Sequence, residues 1–194
     1  YFIRLFVIRF KCVLQSLIPQ GPGADTVKDQ PTVAKAPPSS ASILPAVPAD
    51  AERCVEIRGQ TRENAVSEKQ LASYGITRDS WRDDIESGAL PGYVCRIDQQ
   101  IAGYCFAHRK TGEIAVLALL PKFEEQGIGR KLLAHMVNHM HALGFRRLFL
   151  GCSPDPECRS HGFYRHLGWK STGNFDSHGD EVLELFLQAP DSSQ

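Results

Sequence analysis

The stretch from residue 113 to residue 144 constrains the fold of this chain more than any other part of its sequence. Residues 113–120 are an almost unbroken apolar run, which is typical of a β-strand buried on both faces. After two closely spaced glycines, Gly127 and Gly129, apolar residues recur at helical spacing until Gly144. The pattern predicts a strand, a glycine turn and an amphipathic helix in direct succession. The apolar positions of the helix are Leu132, Leu133, Met136, Val137, Met140 and Leu143.

The glycine turn predicts an anion-binding site at the start of that helix. Main-chain N–H groups converge there at the positive end of the helix dipole, and glycine lets an anion approach without a Cβ in the way. A pyrophosphate fits this arrangement. The glycine fingerprint of dinucleotide-binding folds and the lysine of a P-loop are absent from the turn. The candidate binding residues are Glu124, Glu125, Gln126, Gly127, Ile128, Gly129 and Arg130.

Composition divides the chain into segments of different character. The segment 19–51 is rich in Pro, Ala and Ser, and such a composition cannot bury enough apolar surface to offset its ordering entropy. It is therefore predicted to be a linker. We expect an apolar leader or non-native extension over residues 1–18, the linker over 19–51, one folded domain over 52–188 and a tail over 189–194.

Strand and helix patterns follow each other along the expected domain. Val55 and Ile57 alternate with polar neighbours within residues 54–58, which predicts a short first strand. Two helices are then predicted, one over residues 61–71 and one that begins after a cap at Thr77 or Asp79. The other predicted elements are strands at 91–97, 101–108, 113–120, 145–150, 170–175 and 181–187, and helices at 129–144 and 157–167.

The glycine turn and the motifs around it resemble the GNAT superfamily of N-acetyltransferases. The fingerprint of that family is Gln or Arg, two residues, Gly, one residue, then Gly or Ala. Gly127 and Gly129 match it, whereas Glu124 stands at the Gln or Arg position. A later family motif, in which an aromatic residue and Tyr end a short helix before Gly-Trp, resembles Phe163, Tyr164, Gly168 and Trp169. The resemblance implies an α/β (α+β) fold with a central mixed, mostly antiparallel sheet of about seven strands and about four flanking helices.

The resemblance also implies a chemistry and the residues that carry it. Acetyl-CoA would be the cosubstrate, with its pantetheine arm held by main-chain groups of Leu117, Ala118 and Leu119. Tyr164 would be the general acid toward the departing thiolate, although it could instead be a packed tyrosine. Glu113 would be the general base, with a pKa raised by apolar neighbours, although a solvated glutamate after a turn is the alternative.

These inferences converge on an N-acetyltransferase that moves an acetyl group from acetyl-CoA to a primary amine of a small molecule, by direct transfer in a ternary complex. Two alternatives stay open. One is a non-catalytic module that binds or senses acyl-CoA. The other is an enzyme that acetylates a peptide or protein.

The charge balance and the cysteine and histidine positions limit which binding partners are expected. Twenty-two basic residues balance twenty-two acidic ones, so no net field favours a nucleic acid or an anionic membrane surface, and neither partner is expected. The six cysteines form no close pairs, and His135, His139 and His141 lie on the polar side of the predicted helix. No metal site is therefore expected. We expect a cytoplasmic protein and leave a homodimer open.

Overall fold

The computed structural model describes residues 41–188, which contain seven strands and five α-helices. One antiparallel sheet has the order β1-β2-β3-β4 and the other has the order β5-β7-β6. The strands are β1 Ser42–Pro45, β2 Gly92–Ile97, β3 Gln100–Ala107, β4 Ile114–Leu119, β5 Arg147–Cys152, β6 Lys170–Phe175 and β7 Glu181–Phe186. The helices are α1 Ala51–Arg58, α2 Glu68–Ser73, α3 Arg78–Glu86, α4 Ile128–Ala142 and α5 Arg159–His166. The mixed α/β architecture and its seven strands agree with the fold expected from the sequence.

The strand predicted over residues 54–58 is wrong, because these residues belong to helix α1. Ala51, Cys54, Val55 and Arg58 are buried, and their spacing is that of one helical face. The alternation of two apolar residues in a five-residue window was too short a pattern to separate strand from helix.

The first strand lies in the segment that composition assigned to the linker. Ser42–Pro45 pairs antiparallel with β2, and the buried carboxylate of Asp50 forms an ion pair with Arg96 on that strand. Because β1 is an edge strand, it tolerates Pro45, which cannot donate a ladder hydrogen bond. Residues 42–51 are thus part of the fold, and the linker prediction is wrong for them. The predicted leader, residues 19–40 of the predicted linker and the tail lie outside the described residues.

The helix predicted over residues 61–71 is shorter and later than expected. Helix α2 starts at Glu68, after an N-cap at Ser67 whose side chain accepts a hydrogen bond from Gln70 N–H. Residues 59–67 form a loop instead. By contrast, the predicted cap at Thr77 is confirmed, since its hydroxyl accepts from Ser80 N–H at 3.0 Å at the start of α3.

The two sheets meet at the start of β4. Glu113 forms an isolated parallel bridge with Phe149, and Phe149 N–H donates to the Gly112 carbonyl at 3.3 Å. Further along β4 no ladder joins it to β5 within residues 41–188. Helix α4 covers one face of the sheets, and α1 and α3 cover the other face of the first sheet. No helix in the described part of the chain is long and apolar enough to cross a membrane.

Candidate functional site

A cavity of about 660 Å³ opens between the end of β4 and the first turns of α4 and α5. Nine of the ten residues predicted to bind a cofactor line it. The tenth, Gln126, donates its side-chain amide to the Lys122 carbonyl at 3.2 Å instead. The predicted residues in the lining are Leu117, Ala118, Leu119, Glu124, Glu125, Gly127, Ile128, Gly129 and Arg130.

Several lining residues were not anticipated from the sequence. Four of them come from the loop between α1 and α2, and the others come from α4 and α5. Phe163 belongs to the aromatic motif and Lys131 directly follows Arg130, but the other six have no recognisable local motif and reach the cavity through the tertiary fold. They are Thr61, Arg62, Glu63, Asn64, Lys131, Arg159, Ser160 and Phe163.

The turn before α4 has the conformation that a main-chain anion site needs. Gly127, the residue before the helix, has φ +73°, and Glu125 also lies in the left-handed region. No side chain caps the helix, so its first N–H groups have no intrahelical or capping acceptor, and residues 127–131 line the cavity. A Cβ on Gly129 would lie 3.5 Å from Leu119 Cδ1 and 3.7 Å from Phe163 Cζ. The glycine therefore keeps the cavity wide between β4 and α5.

Glu124 departs from the family fingerprint and has an explanation in its contacts. Its carboxylate forms an ion pair with Arg62 Nε at 2.9 Å and accepts a hydrogen bond from an Arg159 guanidinium nitrogen at 2.5 Å. The main-chain N–H of Arg159, at the start of α5, donates to Glu63 at 3.1 Å. Glu124 thus links the loop after α1 to α5 across the rim of the cavity. Cations still outnumber carboxylates in the lining: Arg62, Arg130, Lys131 and Arg159 against Glu63, Glu124 and Glu125.

Arg58, at the end of α1, holds the loop from behind. One guanidinium nitrogen donates to the Asn64 carbonyl at 2.5 Å and lies 3.5 Å from the Thr61 hydroxyl. Its own carbonyl accepts from Val66 N–H at 3.0 Å. The side chain is only 1% exposed, and burial lowers its pKa. The sequence did not predict that Arg58 is a buried helical residue, because residues 54–58 were expected to form a strand.

Tyr164 lines the cavity beside the residues of β4 and is 5% exposed. Its ring packs edge-on against Phe163 at 5.1 Å and against Trp169 at 6.1 Å. Burial raises the pKa of Tyr164 well above its ordinary value, and the positive charge of Arg58 acts in the opposite direction. Tyr164 and the β4 residues that were predicted to hold the cosubstrate therefore line the same cavity.

Glu113 is not brought to the cavity. It lies at the bridge between the two sheets, is 2% exposed, and its Oε2 atom has no hydrogen-bond partner within residues 41–188. Burial, followed by the nearby Asp176 carboxylate, raises the pKa of Glu113 to about 7. The Asp176 Oδ2 atom is also buried and unpartnered among the described residues. Glu113 has the acidity of a general base near neutral pH, but it lies four residues before Leu117, about 13 Å along a strand.

The histidines and cysteines form no further site in the described part of the chain. No group of three or more His, Cys, Asp or Glu within residues 41–188 is arranged to hold a metal ion. His139 lies 3.4 Å from the Tyr93 hydroxyl through its Nδ1 atom, and His135 packs against the same ring. Cys152 is buried with a raised pKa, which does not favour a nucleophilic thiolate.

Comparison with known proteins agrees with the resemblance that the sequence motifs indicated. The sequence profile of the acetyltransferase (GNAT) family matches residues 53–169. An amino-acid acetyltransferase of Neisseria meningitidis is 31% identical over 85 residues, which cover 42% of this chain but 20% of that protein. The match thus spans about a fifth of the length of that relative.

Two solved structures are similar in fold. The PaiA N-acetyltransferase of Thermoplasma acidophilum, in complex with coenzyme A, has a TM-score of 0.64 and 19% identity, covering 76% of this chain and 99% of its own. The ribosomal-protein-S18-alanine N-acetyltransferase of Escherichia coli has a TM-score of 0.59 and 17% identity, covering 80% of this chain and 99% of its own. At such identities the likeness concerns the fold.

Proposed function

Because this chain belongs to the GNAT family of acetyltransferases, we propose that it moves an acetyl group from acetyl-CoA to a primary amine of a small molecule, in a ternary complex. One observation carries the proposal. A single cavity is lined by the glycine turn of α4, the end of β4 and the hydroxyl-bearing side chain of Tyr164. An anion site, a channel wall and a proton donor are the three parts that a transfer from an acyl-CoA thioester needs.

The cofactor half of the cavity fits acetyl-CoA. The uncapped N-terminus of α4 offers main-chain donors for a pyrophosphate, and Arg130 and Lys131 add positive charge in the first turn. Leu117, Ala118 and Leu119 border the space where a pantetheine arm would lie. Acetyl-CoA itself supplies the activated acyl group. Glu124 contributes indirectly in this proposal, through the two arginines that it holds at the rim.

Tyr164 is proposed as the general acid. When the amine attacks the thioester carbonyl and the carbon–sulfur bond breaks, the sulfur leaves as a thiolate that needs a proton. Tyr164 lines the same cavity, and its hydroxyl would donate this proton. Burial raises the pKa of Tyr164, so its hydroxyl stays protonated at neutral pH and has a proton to donate.

Glu113 is proposed as the general base, acting through water. Its carboxyl has a pKa of about 7 and an unpartnered oxygen within the described part of the chain. Its distance along β4 from Leu117 argues against direct contact with the reacting amine, and a chain of waters would relay the proton. In this proposal the acceptor would bind on the side of the cavity toward the junction of the two sheets.

The nature of the acceptor is the least constrained part of the proposal. The N. meningitidis relative is an amino-acid acetyltransferase, which favours a small amine. The E. coli enzyme of similar fold is named for a ribosomal protein, so a peptide or protein amine stays the alternative. We keep the expectations of a cytoplasmic site of action and an optional homodimer as parts of this proposal.

Release of free thiol from acetyl-CoA in the presence of a panel of amines tests the proposal. Amino acids, polyamines, aminoglycosides and short peptides with free N-termini should be assayed separately, and at least one class should give amine-dependent release. Binding of acetyl-CoA in a thermal-shift assay without turnover on any amine would favour the non-catalytic binding module. No shift and no turnover would exclude both functions.

A further inference from the structure

Arg58 is a buried cation without a counter-ion in the described part of the chain. Its side chain is 1% exposed, and its Nε atom has no hydrogen-bond partner within residues 41–188. Its two contacts are to neutral oxygens, the Asn64 carbonyl and the Thr61 hydroxyl. No carboxylate among residues 41–188 forms an ion pair with it. Buried charges are normally paired, because removal of an ion from water is costly, so this exception calls for a cause.

The position of Arg58 suggests the cause. Thr61 and Asn64, the two residues that it contacts, both line the cavity, so the guanidinium lies directly behind the cavity wall. The charge of Arg58 acts on two buried phenols, Tyr104 and Tyr164. The Tyr104 hydroxyl already donates to the Cys54 carbonyl at 3.0 Å. Tyr164 lines the cavity, and no hydrogen bond within residues 41–188 engages its hydroxyl.

We propose that Arg58 is a positioning residue for acetyl transfer, whose guanidinium stabilises the negative charge that forms on the Tyr164 oxygen when this phenol protonates the departing sulfur. The inference rests on the proposed function. In the step concerned, the amine nitrogen bonds to the acetyl carbon and the carbon–sulfur bond breaks. The Tyr164 proton passes to sulfur, and the proton lost by the amine returns to the phenolate through solvent.

The physical reason is a conflict that burial creates. The low dielectric that keeps Tyr164 protonated also opposes the phenolate that it must become, and this makes a buried phenol a poor acid. A cation in the same low-dielectric region acts strongly on that anion because no water screens it. Arg58 therefore offsets the burial of Tyr164 during the one step in which Tyr164 carries charge. An arginine paired with a carboxylate could not do so as well, since its charge would already be compensated.

The test separates the charge of Arg58 from its hydrogen bonds. Arg58→Gln keeps donors for the Asn64 carbonyl but removes the charge, whereas Arg58→Lys keeps the charge. Both are compared in the full chain with Arg53→Gln, which removes an arginine from the same helix whose partner is Glu56 at 2.7 Å. We expect Arg58→Gln to lower kcat about tenfold or more, with the KM for acetyl-CoA changed less than about threefold. Arg58→Lys should recover most of the loss, and Arg53→Gln should match the wild type.

A double-mutant cycle with Tyr164→Phe supplies a readout that a structural role would not move. If Arg58 acts through Tyr164, Arg58→Gln costs much in the wild-type background and almost nothing when Tyr164 is already Phe. Equal loss in both backgrounds, or no recovery by Lys, overturns the inference while the proposed function stands. If Tyr164→Phe retains full kcat, the general-acid role of Tyr164 and the inference both fail, while acetyl transfer itself stands. If the wild type turns over no amine, the proposed function fails and the inference fails with it. Should Arg58→Gln not fold, Arg58→Met takes its place in the same cycle.

Discussion

The two walls of the cavity are built in different ways. One, here named the main-chain wall, consists of residues 117–119, 124–125 and 127–131, which lie close together along the chain. The other, the side-chain wall, consists of residues 61–64 and of Arg159, Ser160, Phe163 and Tyr164 on α5, and its Glu63 to Arg159 hydrogen bond joins residues 96 positions apart. The main-chain wall offers N–H groups at a helix start. The side-chain wall offers arginines, carboxylates and a tyrosine.

The difference separates two tasks. A main-chain wall depends on backbone conformation, so under the proposed function it would tolerate Glu124 in place of the usual residue and would bind a pyrophosphate without a specific side chain. The side-chain wall would set the charge near the reacting atoms, since Tyr164 belongs to it and Arg58 lies directly behind it. Substitutions in the first wall should therefore change binding, and substitutions in the second should mainly change rate or the electrostatics of binding.

The largest effect is expected from Tyr164→Phe. This change keeps the packing against Phe163 and Trp169 but removes the proton donor. We expect kcat to fall by roughly 10²–10⁴-fold, as for the loss of a general acid, with little change in acetyl-CoA affinity by calorimetry. Unchanged kcat together with weakened cofactor binding would contradict the division of tasks between the two walls, because Tyr164 would then serve binding and not rate.

Glu113 lies outside both walls, and its titration should be visible in stability. Its folded-state pKa of about 7 is above its ordinary value of 4.5, so the protonated form is favoured on folding. Its contribution to stability is full below pH 4.5 and is lost as pH rises through about 7, on the order of 3 kcal/mol in all. Urea unfolding of the wild type and Glu113→Gln across this window should show that loss in the wild type alone. The same substitution should remove an acid limb near pH 7 from kcat/KM, and parallel curves for the two proteins would contradict the assignment.

Arg159→Ala tests the electrostatics of the side-chain wall. The change removes one of the two cations that pair with Glu124 at the rim and lowers the positive charge of the lining, so the KM for acetyl-CoA should rise about tenfold and depend less on salt. Arg147→Ala is the matched control. The side chain of Arg147 is 48% exposed and that of Arg159 is 45% exposed, and both form an ion pair with a glutamate. Unlike Arg159, Arg147 does not line the cavity. An equal rise of KM in both variants would indicate a general effect of net charge.

The smallest effect on activity is expected from Gly127→Ala, with Gly144→Ala as its counterpart at the other end of α4. Both glycines have positive φ, +73° and +95°, and an added Cβ at either would meet nothing within 4 Å. Backbone strain should therefore lower the free energy of unfolding of each by about 1–2 kcal/mol. Only Gly127→Ala should raise the KM for acetyl-CoA, by several-fold. A similar KM in the two variants would mean that the turn is structural.

The sequence was informative where the structure depends on neighbouring residues. The strand, turn and helix of the main-chain wall each have a local pattern, and so do the hairpin of β2 and β3 and the Thr77 cap. Helix α1 was mistaken for a strand because its five-residue window lacked Ala51, which completes the helical face. Pairing of β1 with β2 overrode the linker-like composition around Pro45.

Most residues of the side-chain wall could not be predicted from local sequence patterns. Arg62 and Arg159 are ordinary surface arginines in sequence, and only the fold brings them to Glu124. The same holds for Arg58, whose burial depends on the loop that wraps around it. Tyr164 was found because it has a motif, but the cation behind it has none. The groups that control charge are thus the ones for which a three-dimensional structure was required.

A crystal structure with bound CoA tests the proposed acetyl-CoA site most directly. We expect the pyrophosphate oxygens to accept hydrogen bonds from main-chain N–H groups of residues 127–130 and the sulfur to lie within reach of the Tyr164 hydroxyl. CoA bound outside this cavity, or with its sulfur remote from Tyr164, would show that the proposed site is wrong.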